Sequence, residues 1–397
     1  MQKLSKLLLN NFYFCLFYII YSTLSVTIVN SLPHFNLLYK LILLWGGFIS
    51  ISNIIRIIKR KPNKIEISIF LLLGVTLILN IFFYFSINNI KFWFVNLITL
   101  LSIFFIDDYK KYDNLTNELK ILSNTYILIS GILSVISIIL HYTNKNFLVN
   151  EFSFGNTNGL FINENSLGIS AAIGFFICIY LIYINKNSKA RPIYCTLAFI
   201  ELIAIYSSTS RSALLVFIAV IIVFLLYSIK NIILRIFILV SPLILTLSSI
   251  FIESDFLINF TTSRNELWIS AAEVIKNHLF IGTGNSKLVE MVHSVRPDAY
   301  LPGLETGGLH NIYMQILTTN GLITLVLFLL VVGFSIFYIL NNKQNSGIDV
   351  KILLMLLVGI LLTNLFESNL FYSNSFISVL FWTYLGYATS IKREMLK

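Results

Sequence analysis

A short polar segment with one arginine separates two long apolar runs of the sequence. Residues 207–212 read Ser-Ser-Thr-Ser-Arg-Ser, so hydroxyl side chains surround Arg211 on both sides. A guanidinium group is a permanent cation whose planar donors match two oxygens of a phosphate. Arg211 is therefore a candidate ligand for a phosphate or diphosphate. The simpler alternative is a membrane-surface arginine that extends its charge toward lipid headgroups.

A second arginine stands at the start of a segment with helical periodicity. Ser263 and Glu266 have the spacing of a capping box, and apolar residues then recur at helical intervals. We expect an amphipathic helix near residues 264–281 that lies on the membrane surface. The free N–H groups of a first helical turn attract anions, so Arg264 is a second candidate phosphate ligand. The alternative is an arginine paired with an acidic residue of the same loop.

One histidine precedes another helical pattern. His310 and Asn311 stand before an apolar periodic segment that Asn320 and Gly321 interrupt. An imidazole titrates near neutral pH and can act as a base, an acid or a phosphate ligand. His310 is thus a candidate catalytic residue, although a lone histidine can equally be structural.

Three carboxylates lie within or beside apolar runs. Glu164 stands between Asn163 and Asn165, and Glu201 and Glu367 lie farther along the chain. Acidic groups at membrane depth are costly to bury and often have a function. Each of the three is therefore a candidate for a direct role.

Several motifs that would indicate other chemistry are missing from the sequence. There is no Walker A pattern, no Asp-x-Asp and no His/Cys cluster with zinc spacing. The sequence therefore predicts that fixed cations, without a metal or cofactor, hold any phosphate.

Membrane-spanning helices must position these residues. Hydrophobic residues make up 57% and charged residues 12% of the 397-residue chain, whereas soluble domains average about 45–50% and about 25%. The apolar runs have the length of about 20 residues that crosses a bilayer as a helix, and barrel strands would not contain them. The sequence predicts an all-α polytopic membrane protein. About twelve transmembrane helices are expected, near residues 7–29, 36–58, 65–86, 91–106, 121–141, 165–184, 192–209, 212–229, 232–252, 321–340, 352–370 and 373–391.

The distribution of basic residues predicts the orientation. With a cytoplasmic N-terminus, most Lys and Arg residues fall in cytoplasmic loops, as the positive-inside rule requires. Both termini are then cytoplasmic, and residues 1–397 form a single membrane domain with a large extracytoplasmic loop at 253–320. Arg211, Arg264 and His310 fall on the outer side. The cytoplasmic loops account for the net charge of +10, and no basic patch with interleaved aromatic residues indicates nucleic-acid binding.

Four of these segments, in this order, resemble the superfamily of O-antigen polymerases and O-antigen ligases of the bacterial envelope. The resemblance extends over about residues 160–340. The segments are Phe161–Gly168, Ser208–Arg211, Arg264–Trp268 followed by Gly282-Thr283-Gly284, and His310–Tyr313 followed by Asn320–Ile323. Members of the family often have the pattern Gly-x-x-Gly here, with a second small residue three positions after the first glycine. This chain has Thr324 three positions after Gly321 and so departs from the pattern.

The resemblance implies a GT-C-like helical bundle in the bacterial inner (cytoplasmic) membrane that acts as an inverting, metal-independent glycosyltransferase without a cofactor. The substrate would be an oligosaccharide linked to undecaprenyl pyrophosphate on the outer face. Arg211 and Arg264 would bind the pyrophosphate, and His310 would be either the base that activates the acceptor or a third cation. Further glycan or acceptor contacts would be Asn163, Glu164, Asn165, Trp268, Asn311 and Tyr313. Membrane lipid, a chain-length regulator and a flippase of the same pathway would be its partners.

Three functions are open at this point. We expect a polymerase for O-antigen or capsule, which moves the growing glycan from its carrier to a lipid-linked repeat unit. An O-antigen ligase would instead transfer the glycan to lipid A-core. The modest length and the Ile/Asn/Phe-rich composition favour the polymerase. A flippase for lipid-linked sugars is less favoured, because we find no similarly broken helices in the two halves of the chain.

Overall fold

The computed structural model describes residues 9–106, 110–149, 152–186, 188–248, 261–340 and 348–395. In the described part before residue 249 the helices are α1 (Asn11–Ser25), α2 (Phe35–Lys59), α3 (Lys64–Phe82), α4 (Ile87–Ile98), α5 (Tyr112–Tyr142), α6 (Glu164–Ile184), α7 (Arg191–Ser208), α8 (Arg211–Ser228) and α9 (Ile232–Ser248). A π-helical turn at Thr99–Ile103 extends α4, and a 3₁₀ turn at Ile28–Ser31 follows α1. Between α5 and α6, β1 (Phe147–Val149) and β2 (Phe152–Phe154) pair as a short antiparallel hairpin.

The part from residue 261 onward adds the elements that carry the candidate site. Its described helices are α10 (Arg264–His278), α11 (Leu288–Val295), α12 (Leu304–Gly307), α13 (Ile312–Leu340), α14 (Ile348–Thr363) and α15 (Phe376–Glu394). Helix α6 packs against α5, α7, α8 and α14, and α13 packs against α3 and α10. The fold is thus a helical bundle, as the apolar runs predict.

Each predicted membrane span contains a helix. Six described helices, namely α2, α3, α5, α6, α8 and α13, are long and apolar enough to cross a membrane, whereas the apolar helices around α4 and α9 are shorter. The chain is therefore a polytopic membrane protein. The expected total of twelve crossings is not confirmed and stays a prediction.

Three helices begin at one end of the bundle with a capping side chain. Asn163 accepts a hydrogen bond from the Ser166 amide (2.8 Å) at the start of α6. Ser210 caps α8 in the same way, and Asn311 accepts a hydrogen bond from the Met314 amide (3.0 Å) at the start of α13. These caps satisfy amides that have no partner within the helix. As expected from the sequence, α13 is interrupted at Gly321, where φ is 77°.

The C-terminal ends of α7 and α14 lie at this same end of the bundle. The Ile312 amide donates to the Asn364 carbonyl (3.0 Å), which joins the start of α13 to the end of α14. We call the region formed by residues 163–165, 208–212, 261–264, 300–313 and 364–368 the polar end of the bundle. It contains most of the candidate residues.

Candidate active site

Arg211 is the first residue of α8 and follows a tight turn. Thr209 adopts a left-handed conformation (φ 53°) that reverses the chain after α7. Ser210 donates to the Asn165 side chain (3.0 Å), and Thr209 donates to Glu164 (3.2 Å). Two of the hydroxyl groups around Arg211 therefore fix the turn against the start of α6, which holds the backbone of Arg211 in place.

Two arginines line one cavity of about 390 Å³ at the polar end. Arg211 comes from the start of α8, and Arg264 comes from the start of α10. The other lining residues are Glu164, Asn165, Thr209, Ser212, Leu215, Thr261, Thr262 and Phe366. We call this space the arginine cavity. Its two guanidinium groups and neutral donors suit an anion with several oxygens, such as a diphosphate.

Arg264 starts α10, but the predicted capping box does not form. Ser263 has a left-handed conformation (φ 62°), and its side chain caps no amide. Glu266 instead pairs with Arg296 (2.8 Å). Arg264 donates to the Phe366 carbonyl and lies 3.5 Å from Glu367 Oε1, so its side chain is held in place.

Helix α10 packs its apolar face against other parts of the protein. Its apolar stripe is buried in a small core formed with α11 and residues near the start of α13. Trp268 is 1% exposed, and its Nε1 donates to the Leu309 carbonyl (2.9 Å). The stripe therefore packs within the protein, because the later segments of the same loop cover it.

A second, more open cavity of about 500 Å³ is also lined by Arg264. We call it the histidine cavity, because His310 is part of its wall. The remaining lining residues are Thr262, Ser263, Tyr300, Pro302 and Gly303. Arg264 and Thr262 border both cavities, so the two spaces are neighbours.

The His310 imidazole is held in a restricted space. Its backbone has φ 48°, and its Nδ1 lies 3.8 Å from Glu367 Oε2. A Cβ atom at Gly307 would come within 2.5 Å of the His310 Nε2, and one at Gly303 within 2.8 Å of the same atom. Because positions 303 and 307 are glycines, there is space for the His310 imidazole ring.

Glu367 connects the residues on both sides of Arg264. Its Oε1 accepts a hydrogen bond from Asn165 Nδ2 (3.0 Å) and faces Arg264, while its Oε2 faces His310. The sequence marks Glu367 as a carboxylate near a span end, but no spacing links it to these partners. The structure places Glu367 beside Arg264 and His310. In the sequence, Glu367 is marked as a candidate only by the general rule that carboxylates at membrane depth often have a function.

The structure brings part of the predicted site together. Glu164 and Asn165 line the arginine cavity, whereas Asn163 caps α6 and lines neither cavity. Trp268, Asn311 and Tyr313 are at most 7% exposed and line neither cavity. Asn311 caps α13 and the Tyr313 hydroxyl donates to the Leu361 carbonyl (3.1 Å), so a glycan contact of these three residues stays a prediction.

The glycine-containing segments of the sequence have a structural role. The Thr283 and Gly284 amides donate to the Thr318 (3.0 Å) and Thr319 (2.8 Å) carbonyls. Gly282 and Gly321 have φ values of 76° and 77°, and a Cβ atom at either would collide with the backbone of the other segment. These residues lock the loop after α10 against the kink of α13.

Within the described ranges, no group of three or more His, Cys, Asp or Glu residues is arranged to hold a metal ion.

No curated protein matches the chain. Residues 194–329 match a family described as O-antigen ligase. This segment contains Arg211, Arg264 and His310, together with the interlocked glycine segments, but not Glu164, Asn165 or Glu367. This match over residues 194–329 supports the resemblance of the motifs to the superfamily of O-antigen polymerases and ligases.

Proposed function

We propose that the protein is a polysaccharide polymerase for O-antigen or capsule. It would transfer the growing glycan from undecaprenyl pyrophosphate to a lipid-linked repeat unit on the outer face of the bacterial inner membrane. The observation that carries this proposal is the arginine cavity, in which Arg211 and Arg264 face one space. His310 lies in the adjoining cavity.

The two cavities suggest how the transfer proceeds. The diphosphate of the donor occupies the arginine cavity, where two fixed cations stabilise the charge that develops as it leaves. A hydroxyl oxygen of the acceptor attacks the anomeric carbon of the donor from the opposite side. The bond from that carbon to the diphosphate oxygen breaks, so the configuration inverts. The acceptor proton passes to His310 when this residue acts as the base.

His310 has an alternative role in this scheme. Its Nδ1 faces Glu367, which also faces Arg264. A protonated His310 would be a third cation beside the diphosphate, and the acceptor proton would then pass to water. Both roles make His310 essential for transfer.

An O-antigen ligase is the second candidate, because this is the description of the matched family. It would use the same donor site but would transfer the finished chain to lipid A-core. The modest length and the Ile/Asn/Phe-rich composition support the polymerase. A flippase and a chain-length regulator of the same pathway would supply the donor and limit its extension.

The surface glycan of the host distinguishes these functions. We would delete the gene and complement it with the wild type or His310→Ala, then separate the glycans on a gel. Single repeat units in place of a ladder, with rescue by the wild type alone, support the polymerase. Long chains that stay on the lipid carrier support the ligase. A failure of lipid-linked units to reach the outer face would point to a flippase and overturn the proposed site.

The proposed mechanism uses no metal. Transfer by membranes that contain the protein should therefore persist in excess EDTA. Complete loss of transfer, restored by a divalent cation, would contradict this part of the proposal.

A further inference from the structure

The histidine cavity contains an aromatic side chain that the proposed transfer does not use. Tyr300 lines this cavity and is 74% exposed. Its neighbours in the wall are the hydroxyl residues Thr262 and Ser263 and the imidazole of His310. An exposed aromatic ring beside polar donors and a candidate base is a combination that suits a carbohydrate, whose rings have an apolar C–H face and a hydroxyl rim.

The loop that presents Tyr300 is attached to the protein on both sides. Before it, Arg296 pairs with Glu266 of α10 (2.8 Å). After it, Gly303 packs so closely on His310 that an added Cβ atom would lie 2.8 Å from the imidazole Nε2. Tyr300 is therefore held at a limited distance from His310, although its ring is exposed.

The neighbouring cavity has a different character. The arginine cavity has two guanidinium groups and acidic and amide side chains, whereas Arg264 is the one arginine or lysine among the residues that line the histidine cavity. The distribution of charge favours the diphosphate on the Arg211 side. The histidine cavity is left for a neutral, hydroxyl-rich ligand.

We propose that the histidine cavity is the acceptor-glycan subsite and that Tyr300 is its stacking platform. This inference rests on the proposed function, because it assigns the second substrate of the same transfer. The acceptor sugar lies on the Tyr300 ring, its rim reaches the hydroxyl groups of Thr262 and Ser263, and its reacting hydroxyl faces His310. Tyr300 is then a residue that determines acceptor affinity.

A direct binding measurement tests this subsite without requiring transfer. The purified full-length protein in detergent is titrated by calorimetry with the free repeat-unit oligosaccharide of the host, released from its carrier. In separate titrations the probe is inorganic pyrophosphate. The variants are Tyr300→Ala, Tyr300→Phe and Arg211→Ala, with Tyr142→Ala as the matched control. Tyr142 is also an exposed tyrosine (69%) but lines neither cavity.

We expect the two probes to separate the two cavities. Tyr300→Ala should raise the dissociation constant of the oligosaccharide about three- to tenfold, as expected for the loss of one aromatic contact. Tyr300→Phe and Tyr142→Ala should leave it unchanged. Arg211→Ala should weaken pyrophosphate binding, whereas Tyr300→Ala should not.

The negative outcomes are equally distinct. Unchanged oligosaccharide affinity in Tyr300→Ala, or no binding to the wild type, would overturn the subsite. Equal weakening of both probes by Tyr300→Ala would show a general disturbance of the loop and would also overturn it. A different result would contradict the proposed function alone: the wild-type protein would bind the oligosaccharide but would not extend chains in the complementation experiment.

Discussion

Glu201 and Glu367 are both buried carboxylates, but their surroundings differ. Glu201 of α7 is completely buried, and its oxygens accept hydrogen bonds from Ser130 (2.8 Å) and Ser134 (2.6 Å) of α5. In the part of the chain that the structure describes, no basic side chain forms an ion pair with it. Glu367 instead lies at the polar end and faces a guanidinium and an imidazole.

Helix packing explains the position of Glu201. A Cβ atom at Gly174 of α6 would lie 2.7 Å from Glu201 Oε1, so α6 comes close only because this residue is a glycine. We call Ser130, Ser134, Gly174 and Glu201 the core layer. Neutral hydroxyl donors satisfy the Glu201 carboxylate, so the core layer joins α5, α6 and α7. At the polar end the charged partners of Glu367 border open cavities, where a ligand can exchange contacts with them.

The largest effect is expected from Arg211→Lys at the polar end. A lysine keeps the charge but loses the planar donors that contact two oxygens, so transfer should fall about 100-fold, nearly as far as in Arg211→Ala. The measurement is chain extension by membranes with equal amounts of protein. Arg235→Lys in α9, outside the polar end, is the control. Full activity of Arg211→Lys would exclude a bidentate contact with the diphosphate.

A steric change at the polar end should have the next largest effect. In Gly307→Ala the added methyl group meets the His310 ring, which must move from its position. Since a small displacement of a reacting group is costly, chain extension should fall at least about tenfold without loss of protein from the membrane. Gly74→Ala in α3 is the matched control, because an added Cβ atom there meets nothing within 4 Å. Equal activities of the two variants would show that the ring position is not critical.

Removal of the charge of Glu367 should have an intermediate effect. Glu367→Gln keeps an oxygen for Asn165 but loses the carboxylate that faces Arg264 and His310. Hydrogen bonds to charged groups contribute about 1.5–3 kcal/mol, so chain extension should fall about tenfold or more. Glu273→Gln in α10, a half-exposed residue that lines neither cavity, is the control. Unchanged transfer in Glu367→Gln would place Glu367 outside the site.

The sequence predicts the helices well, for a physical reason, whereas the side of the membrane on which the site lies stays a prediction. Apolar runs of membrane length determine where helices lie, and their alternating direction places the start of α8 and the loop before α13 at one end of the bundle. Arg211, Arg264 and His310 therefore converge in the structure as the topology requires. Composition does not determine the number of crossings, because several helices are too short or too polar to meet the criteria for a span.

Long-range pairing could not be predicted from local patterns. The spacing of Ser263 and Glu266 indicates a capping box, but Arg296 attracts the Glu266 carboxylate instead. The apolar stripe that contains Trp268 predicts a buried face without showing whether lipid or protein covers it. Glu367 joins the site only through partners that are distant in sequence, and hydropathy carries no information about such contacts.

The smallest effect is expected from Glu201→Gln in the core layer. The amide oxygen can accept from one serine, and its NH₂ group can donate to the hydroxyl oxygen of the other, so both contacts persist without the charge. Chain extension should stay within about twofold of the wild type, and the stability loss should be below about 1 kcal/mol. Glu201→Leu removes both contacts and should lower the thermal unfolding temperature in detergent more clearly. If Glu201→Gln impaired transfer as much as Glu367→Gln, the charge of Glu201 would itself be functional, and the distinction between a carboxylate that joins helices and one that serves the site would no longer hold.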